Sequence, residues 1–418
     1  MVYQATVPRT PRRVVRRLRG PMLLGPAFVA GIAYVDPGNV ATNVAAGSRY
    51  GYLLIWVVVS ANLLAMLVQY LSAKLGIATG KSLPQLCRER YSRNTTLGLW
   101  VQAEAVALAT DLAEVLGGAI ALNLLFGLPL LTGGLITGGV SFALLALQSP
   151  RHQKRFERCI ILMLAVIVIG FGWSAIGAAP EPSAVLSGLM PRFEGPDTVL
   201  LATAILGATV MPHAIYLHSA LIRDRFGSAV GGSQQRQRLL RATRSDVVIA
   251  MVIAGAVNLA MMLAAAGALG GHGIETIEES YFGLLEVLGP VAALLFAIAL
   301  LASGLASSSV GTYAGSVILE GFLKRRIALP ARRLVTLAPA VAVLAIGADP
   351  TRALVLSQVV LSFGIPFALW PLVRLTADPR VMGELVNRRR TTLAAASTAL
   401  IITGLNGVLI VLTFLGIG

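Results

Sequence analysis

The sequence predicts an all-α polytopic membrane protein with about eleven transmembrane helices. The chain of 418 residues is 56% hydrophobic and only 13% charged, and its mean hydropathy is +0.78. Soluble domains carry about 25% charged residues, so this composition excludes a soluble protein. Apolar segments of about 20 residues, long enough to cross a bilayer as helices, recur along the whole chain. Two of these segments are interrupted by a proline next to an ionisable residue.

About eleven apolar segments have the required length. Their limits are 21–46, 52–77, 98–126, 129–148, 156–178, 199–222, 245–270, 282–320, 328–347, 351–375 and 393–417. The third and the eighth are long enough to tilt or to extend beyond the bilayer. Residues 1–20 are predicted to form a basic tail, and residues 21–418 are predicted to form one transmembrane domain.

The net charge of +15 is distributed as in a membrane protein, so no nucleic-acid partner is expected. Basic residues cluster in every second connection between the spans, and connections of this kind stay in the cytoplasm. The pattern predicts a cytoplasmic N-terminus and, because the number of spans is odd, a C-terminus outside. The compact connections are typical of a prokaryotic chain, which predicts a cell-membrane location. The clusters are Arg9–Arg19, Lys81–Arg93, Arg151–Arg158, Arg223–Arg244, Lys324–Arg333 and Arg374–Arg390.

Two broken spans indicate where a substrate binds. Asp36-Pro37-Gly38-Asn39 interrupts span 1, and Met211-Pro212-His213 interrupts span 6. An Asp at the membrane centre costs about 2.5–3.5 kcal/mol, and an interior Pro costs about 3 kcal/mol relative to Ala. Matching breaks in two halves of a membrane protein are typical of a transport site at the bilayer midplane. Five spans separate the breaks, so spans 1–5 (21–178) and 6–10 (199–375) are predicted to form an inverted repeat, with 393–417 as an extra helix.

The chemical groups at the breaks suit a transition metal. Span 1 offers the Asp36 carboxylate and the Asn39 amide oxygen, and span 6 offers the Met211 thioether and the freed Ala208 carbonyl. Oxygen ligands suit hard cations, whereas thioether sulfur is soft. The mixed set is predicted to accept Mn²⁺, Fe²⁺ and Cd²⁺ and to discriminate against Mg²⁺ and Ca²⁺. The alternative for Met211 is a residue that fills a gap in the core.

The third span carries three acids that are predicted to share one helical face. Glu104, Asp111 and Glu114 are spaced by seven and then three residues. Facing lipid would cost about 3 kcal/mol for each acid, so the three must face protein or water. They fit either a proton route or structural ion pairs, with Arg332 and Arg333 at the start of span 9 as candidate partners.

Two histidines in span 6 leave alternatives open. His213 fits a proton shuttle or metal ligand, because histidine titrates near neutral pH, but it equally fits an interior histidine that tunes Asp36. His218 points to a different face and is a weaker candidate for the proton route. The run from Ala302 to Ser309 in span 8 is predicted to be a packed seam, with a second ion site as the alternative. No function is assigned to Cys87 or Cys159.

The two motifs together resemble the signature pair of the Nramp family. They are Asp36-Pro37-Gly38-Asn39 and the segment from Ala208 to Ser219, and the resemblance extends from Gly25-Pro26 through the last span. It implies a LeuT-like fold and proton-coupled import of divalent transition metals by alternating access. It further implies that Asp36, Asn39, Met211 and the Ala208 carbonyl bind the metal, with Gln358 of span 10 joining in some transport states.

The resemblance also implies a route for protons. They would pass from Asp36 through Asp111 and Glu114 toward Arg333 and the cytoplasm, with Glu104 beside the route. The chain lacks the twelfth span of many animal members and keeps the methionine that magnesium-transporting relatives replace.

Other functions are weighed against metal import. A sodium-coupled LeuT-like carrier of an amino acid or another small organic solute is the main alternative, and a passive channel could use the same ligands. An intramembrane metalloprotease would need a His-Glu-x-x-His segment, which the sequence lacks, so no enzyme activity is expected. The expected partners are divalent metal ions, protons and lipid, with no permanently bound cofactor. The sequence leaves the oligomeric state open, and a monomer fits it.

Overall fold

The computed structural model describes residues 25–146, 153–227, 233–270, 274, 276–325, 327 and 329–415, and these residues are helical almost throughout. The predicted basic tail, residues 1–20, lies outside the described residues. The cytoplasmic placement of the N-terminus and the outer placement of the C-terminus stay predictions.

Every predicted span contains one or more helices. They are α1 (Pro26–Gly31), α2 (Pro37–Tyr50), α3 (Ile55–Thr79), α4 (Leu83–Arg90), α5 (Arg93–Phe126), α6 (Leu130–Ala146), α7 (Gln153–Gly177), α8 (Pro182–Ser187), α9 (Pro196–Thr209), α10 (Pro212–Phe226), α11 (Ser233–Leu269), α12 (Ile277–Leu288), α13 (Pro290–Leu323), α14 (Leu329–Ala345), α15 (Pro350–Ala377), α16 (Pro379–Met382) and α17 (Arg389–Phe414).

Length and apolar composition mark the membrane-crossing helices. Among the described residues, eight helical segments are long and apolar enough to cross a membrane, one of them formed by α9 and α10 together, and two shorter apolar helices cover Pro26–Val35 and Leu130–Leu144. The shortness of Pro26–Val35 follows from the break in span 1. The protein is therefore a multi-pass membrane protein, as its composition predicts.

The predicted start of span 8 at residue 282 is wrong. The structure divides that segment, because α12 ends at Leu288 and α13 begins at Pro290. Gly289 between them has φ 85°, a left-handed conformation that glycine adopts without a steric penalty. Proline then occupies the first position of α13, where its missing N–H has no intrahelical partner to lose. The Gly-Pro pair makes a corner that hydropathy alone does not show.

Helix α13 lies at the centre of the bundle and packs along α5 and α7. Small residues permit this close approach. A side chain at Gly304 of α13 would meet the backbone of α5 at Glu114 and Gly118, within 3.2 Å. The predicted packed seam in span 8 is therefore present in the structure.

A proline in α15 is coupled to the last helix. Pro366 has no N–H, so the Ser362 carbonyl one turn earlier loses its intrahelical partner. Asn406 of α17 supplies that partner, with Nδ2 donating to the Ser362 carbonyl at 2.9 Å. The Ser362 hydroxyl donates in return to Asn406 Oδ1 at 2.9 Å. The extra helix α17 thus supplies the hydrogen-bond donor that Pro366 removes from α15, the helix that carries Gln358.

We expect Asn406→Leu to lower the free energy of unfolding by about 1–3 kcal/mol, because it leaves the buried Ser362 carbonyl without a partner. Thermal unfolding of the purified protein in detergent measures this loss. Thr403→Val is the matched control, because the Thr403 hydroxyl bonds only within α17, to the Ala399 carbonyl. Equal stability of Asn406→Leu and the control would contradict the coupling.

Candidate cation site at two helix breaks

The two breaks share one construction. After α1 the chain tightens into a 3-10 turn over Ile32–Val35, and Asp36 then adopts an extended conformation as the N-cap of α2. Met211 is likewise the extended N-cap of α10. Pro37 and Pro212 occupy the first helical positions, where proline is favoured because its fixed φ suits the helix. Each break therefore stops one half-helix and starts another within two or three residues.

Neighbouring helices satisfy the backbone that the first break frees. Asn258 of α11 donates from Nδ2 to the Tyr34 carbonyl at 2.9 Å. Ser303 of α13 donates from its hydroxyl to the Val35 carbonyl at 2.6 Å. The sequence showed Asn258 and Ser303 only as polar residues in apolar helices, and their partners depend on tertiary packing. They hold the end of the first half-helix in place.

Asn39 joins the two breaks. Its side-chain Nδ2 donates to Asp36 Oδ1 at 2.7 Å and to the Ala208 carbonyl at 2.9 Å. Its backbone N–H also donates to Asp36 Oδ1, at 2.8 Å. The structure therefore brings together three of the predicted ligand residues, one from each side of the first break and one from the end of α9.

The remaining predicted ligand residues lie in the same enclosed region. Asp36, Asn39, Ala208, Met211 and Gln358 are each 0% exposed. Gln358 packs against both breaks. A Cβ at Gly38 would lie 1.9 Å from the side-chain Nε2 of Gln358, and a Cβ at Gly207 would lie 2.0 Å from its backbone carbonyl oxygen. Glycine at these two positions is what allows α15 to approach the site.

Two acceptor atoms at the site have no hydrogen-bond partner among the described residues. They are Asp36 Oδ2 and Gln358 Oε1. A buried acceptor without a partner costs about 1–3 kcal/mol, and more when it is charged. A cation within reach of either atom would satisfy it. The described residues contain no cluster of three or more His, Cys, Asp or Glu side chains that could hold a metal, so a cation here would depend on one carboxylate and on neutral oxygen and sulfur donors.

The three acids of α5 all face α13 or α14, as their spacing predicts. Arg332 binds Glu104 with two hydrogen bonds, at 3.2 and 2.8 Å, and Trp100 also donates to Glu104 at 3.2 Å. Arg333 pairs with Asp111 at 3.1 Å. The structure thus shows which arginine meets which acid, a pairing that the sequence left open. The outer pair is partly exposed at Glu104, whereas the inner pair is buried.

Arg333 is enclosed by hydroxyl groups. Its guanidinium donates to Ser308 at 2.5 Å, to Ser141 at 2.7 Å and to Thr312 at 3.3 Å. These hydroxyls come from α13 and α6 and give the buried cation partners beyond Asp111. Ser141 and Thr312 carry no signal in the sequence, because hydroxyls in membrane helices commonly bond to their own backbone.

Glu114 lies one turn after Asp111 on α5. Its side chain is buried, and Oε2 has no hydrogen-bond partner among the described residues. A Cβ at Gly311 of α13 would lie 2.8 Å from that oxygen. Glu114 is therefore the acid of α5 that no arginine neutralises by direct contact.

The structure separates the two histidines. His213 Nδ1 lies 3.2 Å from the hydroxyl of Thr110. Thr110 directly precedes Asp111 in the sequence. His218 Nδ1 lies 2.7 Å from Gln69 Oε1, and Gln69 donates to the Tyr34 hydroxyl. His213 therefore contacts the acid-bearing helix α5, whereas His218 connects α10 to α3 and to the first half-helix. Their part in proton movement stays a prediction.

The described cysteines do not form a site. Cys87 is buried in α4, and burial raises the pKa of its thiol, so the thiol stays protonated. A protonated thiol is a poor nucleophile and metal ligand.

A helical bundle with two broken helices and an enclosed polar site between them defines a membrane transport protein. The profile described as "Natural resistance-associated macrophage protein-like" matches residues 27–412. The chain belongs to this family, Nramp, as its two motifs indicate.

The chain is similar to known transporters both in sequence and in fold. The "Divalent metal cation transporter MntH" of Mycobacterium tuberculosis is 58% identical over 395 residues, which is 94% of this chain and 92% of the relative. A structure of the manganese transporter of Eremococcus coleocola is 34% identical, with a TM-score of 0.81 over 91% of this chain and 84% of that one. Mhp1, a nucleobase-cation-symport-1 family transporter, is 14% identical with a TM-score of 0.59 over 92% of each chain. The predicted LeuT-like fold is confirmed.

We expect Arg333→Gln to lower the free energy of unfolding by about 3–5 kcal/mol, because it leaves the Asp111 carboxylate buried without its counterion. Adding Asp111→Asn should recover part of that loss. Arg332→Gln is the control and should cost less, because Glu104 is partly exposed. The three variants are compared by thermal unfolding in detergent. An Arg333→Gln protein as stable as the wild type would contradict the ion pair.

Proposed function

We propose that the protein is a proton-coupled secondary transporter that imports divalent transition metals, chiefly Mn²⁺ and Fe²⁺ and also Cd²⁺, across the cell membrane by alternating access. One observation carries the proposal. Groups from both broken helices, the Asp36 carboxylate, the Asn39 amide and the Ala208 carbonyl, meet within hydrogen-bond distance in a fully buried site. The names of the similar proteins from Mycobacterium tuberculosis and Eremococcus coleocola support a metal as the substrate.

The donor set supports a transition metal over Mg²⁺ or Ca²⁺. Carboxylate, amide and carbonyl oxygens bind any of these divalent cations, but a thioether adds affinity only for the softer ones. Met211 is the N-cap of α10 and is completely buried beside the break. A single carboxylate leaves a divalent cation with net positive charge in the site, which supports release as well as binding.

The acids of α5 support proton coupling. His213 contacts Thr110, which precedes Asp111, and Asp111 pairs with Arg333. Glu114 is buried one turn after Asp111, and carboxyl groups inside a membrane protein commonly carry protons along a transport route. We assign this chain of groups, leading from the site toward α14, to proton movement.

The geometry at α2 disfavours a carrier of amino acids. Such a carrier presents a free half-helix N-terminus to the carboxylate of its substrate. Here the Asp36 side chain already accepts from the Asn39 N–H at the N-terminus of α2. A second carboxylate would be repelled by Asp36 at the same place.

Mn²⁺ uptake into proteoliposomes that contain an internal pH dye tests the proposal. We expect the wild type to take up Mn²⁺ and to acidify the interior, and Asp36→Ala to lose both activities, because the only carboxylate at the breaks is removed. Thr42→Ala is the control on the same half-helix, since the Thr42 hydroxyl bonds only to carbonyls of α2.

The possible outcomes separate the parts of the proposal. Metal entry without acidification would show that the protein is a uniporter or a channel. The α5 acids would then form structural ion pairs and would not carry protons. No metal entry in the wild type would contradict metal transport itself.

Selectivity is predicted to depend on Met211. Met211→Ala should keep part of the Mn²⁺ uptake but weaken the discrimination against Ca²⁺ by about tenfold, equivalent to about 1.4 kcal/mol, because only the soft ligand is lost. Competition of Ca²⁺ with Mn²⁺ uptake measures this change. Met262→Ala removes an equally buried methionine of α11 and should leave selectivity unchanged. Unaltered selectivity in Met211→Ala would show that the thioether does not select the metal.

A further inference from the structure

The Asn39 side chain points its amide hydrogens, and not its amide oxygen, toward two oxygen atoms at the breaks. The amide Nδ2 donates both to Asp36 Oδ1 and to the Ala208 carbonyl. The other end of the amide, Oδ1, lies 3.5 Å from the Thr209 hydroxyl. An amide group and a cation cannot both satisfy the same two oxygens, because the N–H groups occupy the space and the lone pairs that the cation needs.

The distances around Asn39 are slightly shorter than those between the oxygens of a ligand shell. Metal–oxygen bonds of about 2.1–2.4 Å place neighbouring oxygens of an octahedron about 3.0–3.4 Å apart. The terminal atom of Asn39 lies 2.7 and 2.9 Å from the two oxygens. A cation could therefore enter with small outward shifts, provided that Asn39 presents oxygen instead of nitrogen.

A half-turn of the amide supplies that change. The terminal torsion of asparagine is broad and roughly two-fold, so the two orientations have nearly the same shape. The Thr209 hydroxyl can donate to Oδ1 in one orientation and accept from Nδ2 in the other, because a hydroxyl has both capacities. Thr209 therefore fits either orientation without moving.

We propose that Asn39 has a second role, in the unloaded carrier, where its amide hydrogens bridge α2 and α9 in place of the cation. The amide turns by 180° when metal binds and back when metal leaves. A transporter that works by alternating access must also return empty. Without the bridge the Ala208 carbonyl would have no donor among the described residues, and Asp36 Oδ1 would keep only the Asn39 backbone N–H. Asn39 is thus a positioning residue for the return step, in addition to its role as a ligand. This inference rests on the proposed function.

Asn39→Asp separates the two roles. The carboxylate keeps an oxygen for the cation but loses the two N–H donors. A proton shared with Asp36 restores at most one of the two hydrogen bonds, so Asp36 Oδ1 and the Ala208 carbonyl are never both satisfied. The loaded site is retained, whereas the unloaded site gathers acceptors that repel one another. We therefore expect slow return of the empty carrier and a smaller slowing of the loaded one, because the second carboxylate holds the cation more tightly.

The experiment compares two modes of transport in the same proteoliposomes. Net uptake of Mn²⁺ requires the empty carrier to return, whereas exchange of internal Mn²⁺ for external radioactive Mn²⁺ does not. For Asn39→Asp we expect net uptake to fall by about tenfold or more, as loss of two buried hydrogen bonds implies, with exchange reduced no more than about threefold. Asn43→Asp is the matched control, because it adds the same charge one turn along α2, where Asn43 bonds to Asn258 instead of the site.

Three results would overturn the inference. They are net uptake and exchange that fall by the same factor, net uptake that persists in Asn39→Asp, and the same split between the two modes in Asn43→Asp. An inactive wild type would instead contradict the proposed function, so the two failures are distinguishable.

A measurement on the wild type keeps the test independent of the variant's folding. With ¹⁵N in the asparagine side chains and ¹³C in the Asp carboxyl groups, solid-state NMR reports the distance between Asn39 Nδ2 and the Asp36 carboxyl carbon. We expect this distance to lengthen when Cd²⁺, a diamagnetic substitute for Mn²⁺, is added. An unchanged distance with Cd²⁺ bound would show that the amide does not turn.

Discussion

The backbone that the two helix breaks expose is the constraint on which the rest of the structure depends. Within a membrane no water is available to pair a freed N–H or carbonyl group, so the protein itself must supply each partner. Here Asn258, Ser303 and Asn39 supply them at Tyr34, Val35 and Ala208. Polar residues placed to satisfy the backbone also make the enclosed region suitable for a cation. The proposed binding site is thus a consequence of breaking the helices at matching places.

The same constraint explains why the central helices are rich in small and hydroxyl residues. Helix α13 must approach α5 closely and must also supply Ser303 to the first break and Ser308 to Arg333. Small side chains permit the approach, and the hydroxyls add hydrogen bonds without bulk. One helix therefore supports both the candidate cation site and the ion pair between Arg333 and Asp111 of α5.

The features predicted correctly from sequence are those that depend on local chemistry. Asp36 and Met211 each precede a proline that takes the first position of a helix, a position that proline favours. The spacing of the α5 acids likewise predicted that they share one face, because the helix period alone decides which residues lie on the same side. Their individual partners could not be predicted, because Arg332 and Arg333 are adjacent and only the packing of α14 decides which acid each one reaches.

Other features were missed because hydropathy averages over a whole span. The corner at Gly289 and the short helices α4 and α8 change the direction of the chain within a few residues, which a 20-residue apolar window does not register. The hydrogen-bond role of Asn39 was also not visible in the sequence. The residue type offers both an oxygen and an amide nitrogen, and only the positions of Asp36 and Ala208 show that the nitrogen bridges them.

The location of the metal itself tests the account most directly. Crystals of the protein grown with Mn²⁺ give an anomalous-difference signal that identifies the ion without reference to the protein atoms. The account predicts one strong peak between Asp36, Asn39, the Ala208 carbonyl and Met211, absent in crystals of Asp36→Ala. A peak elsewhere in the bundle, or no peak at the breaks in protein that transports Mn²⁺, would contradict it.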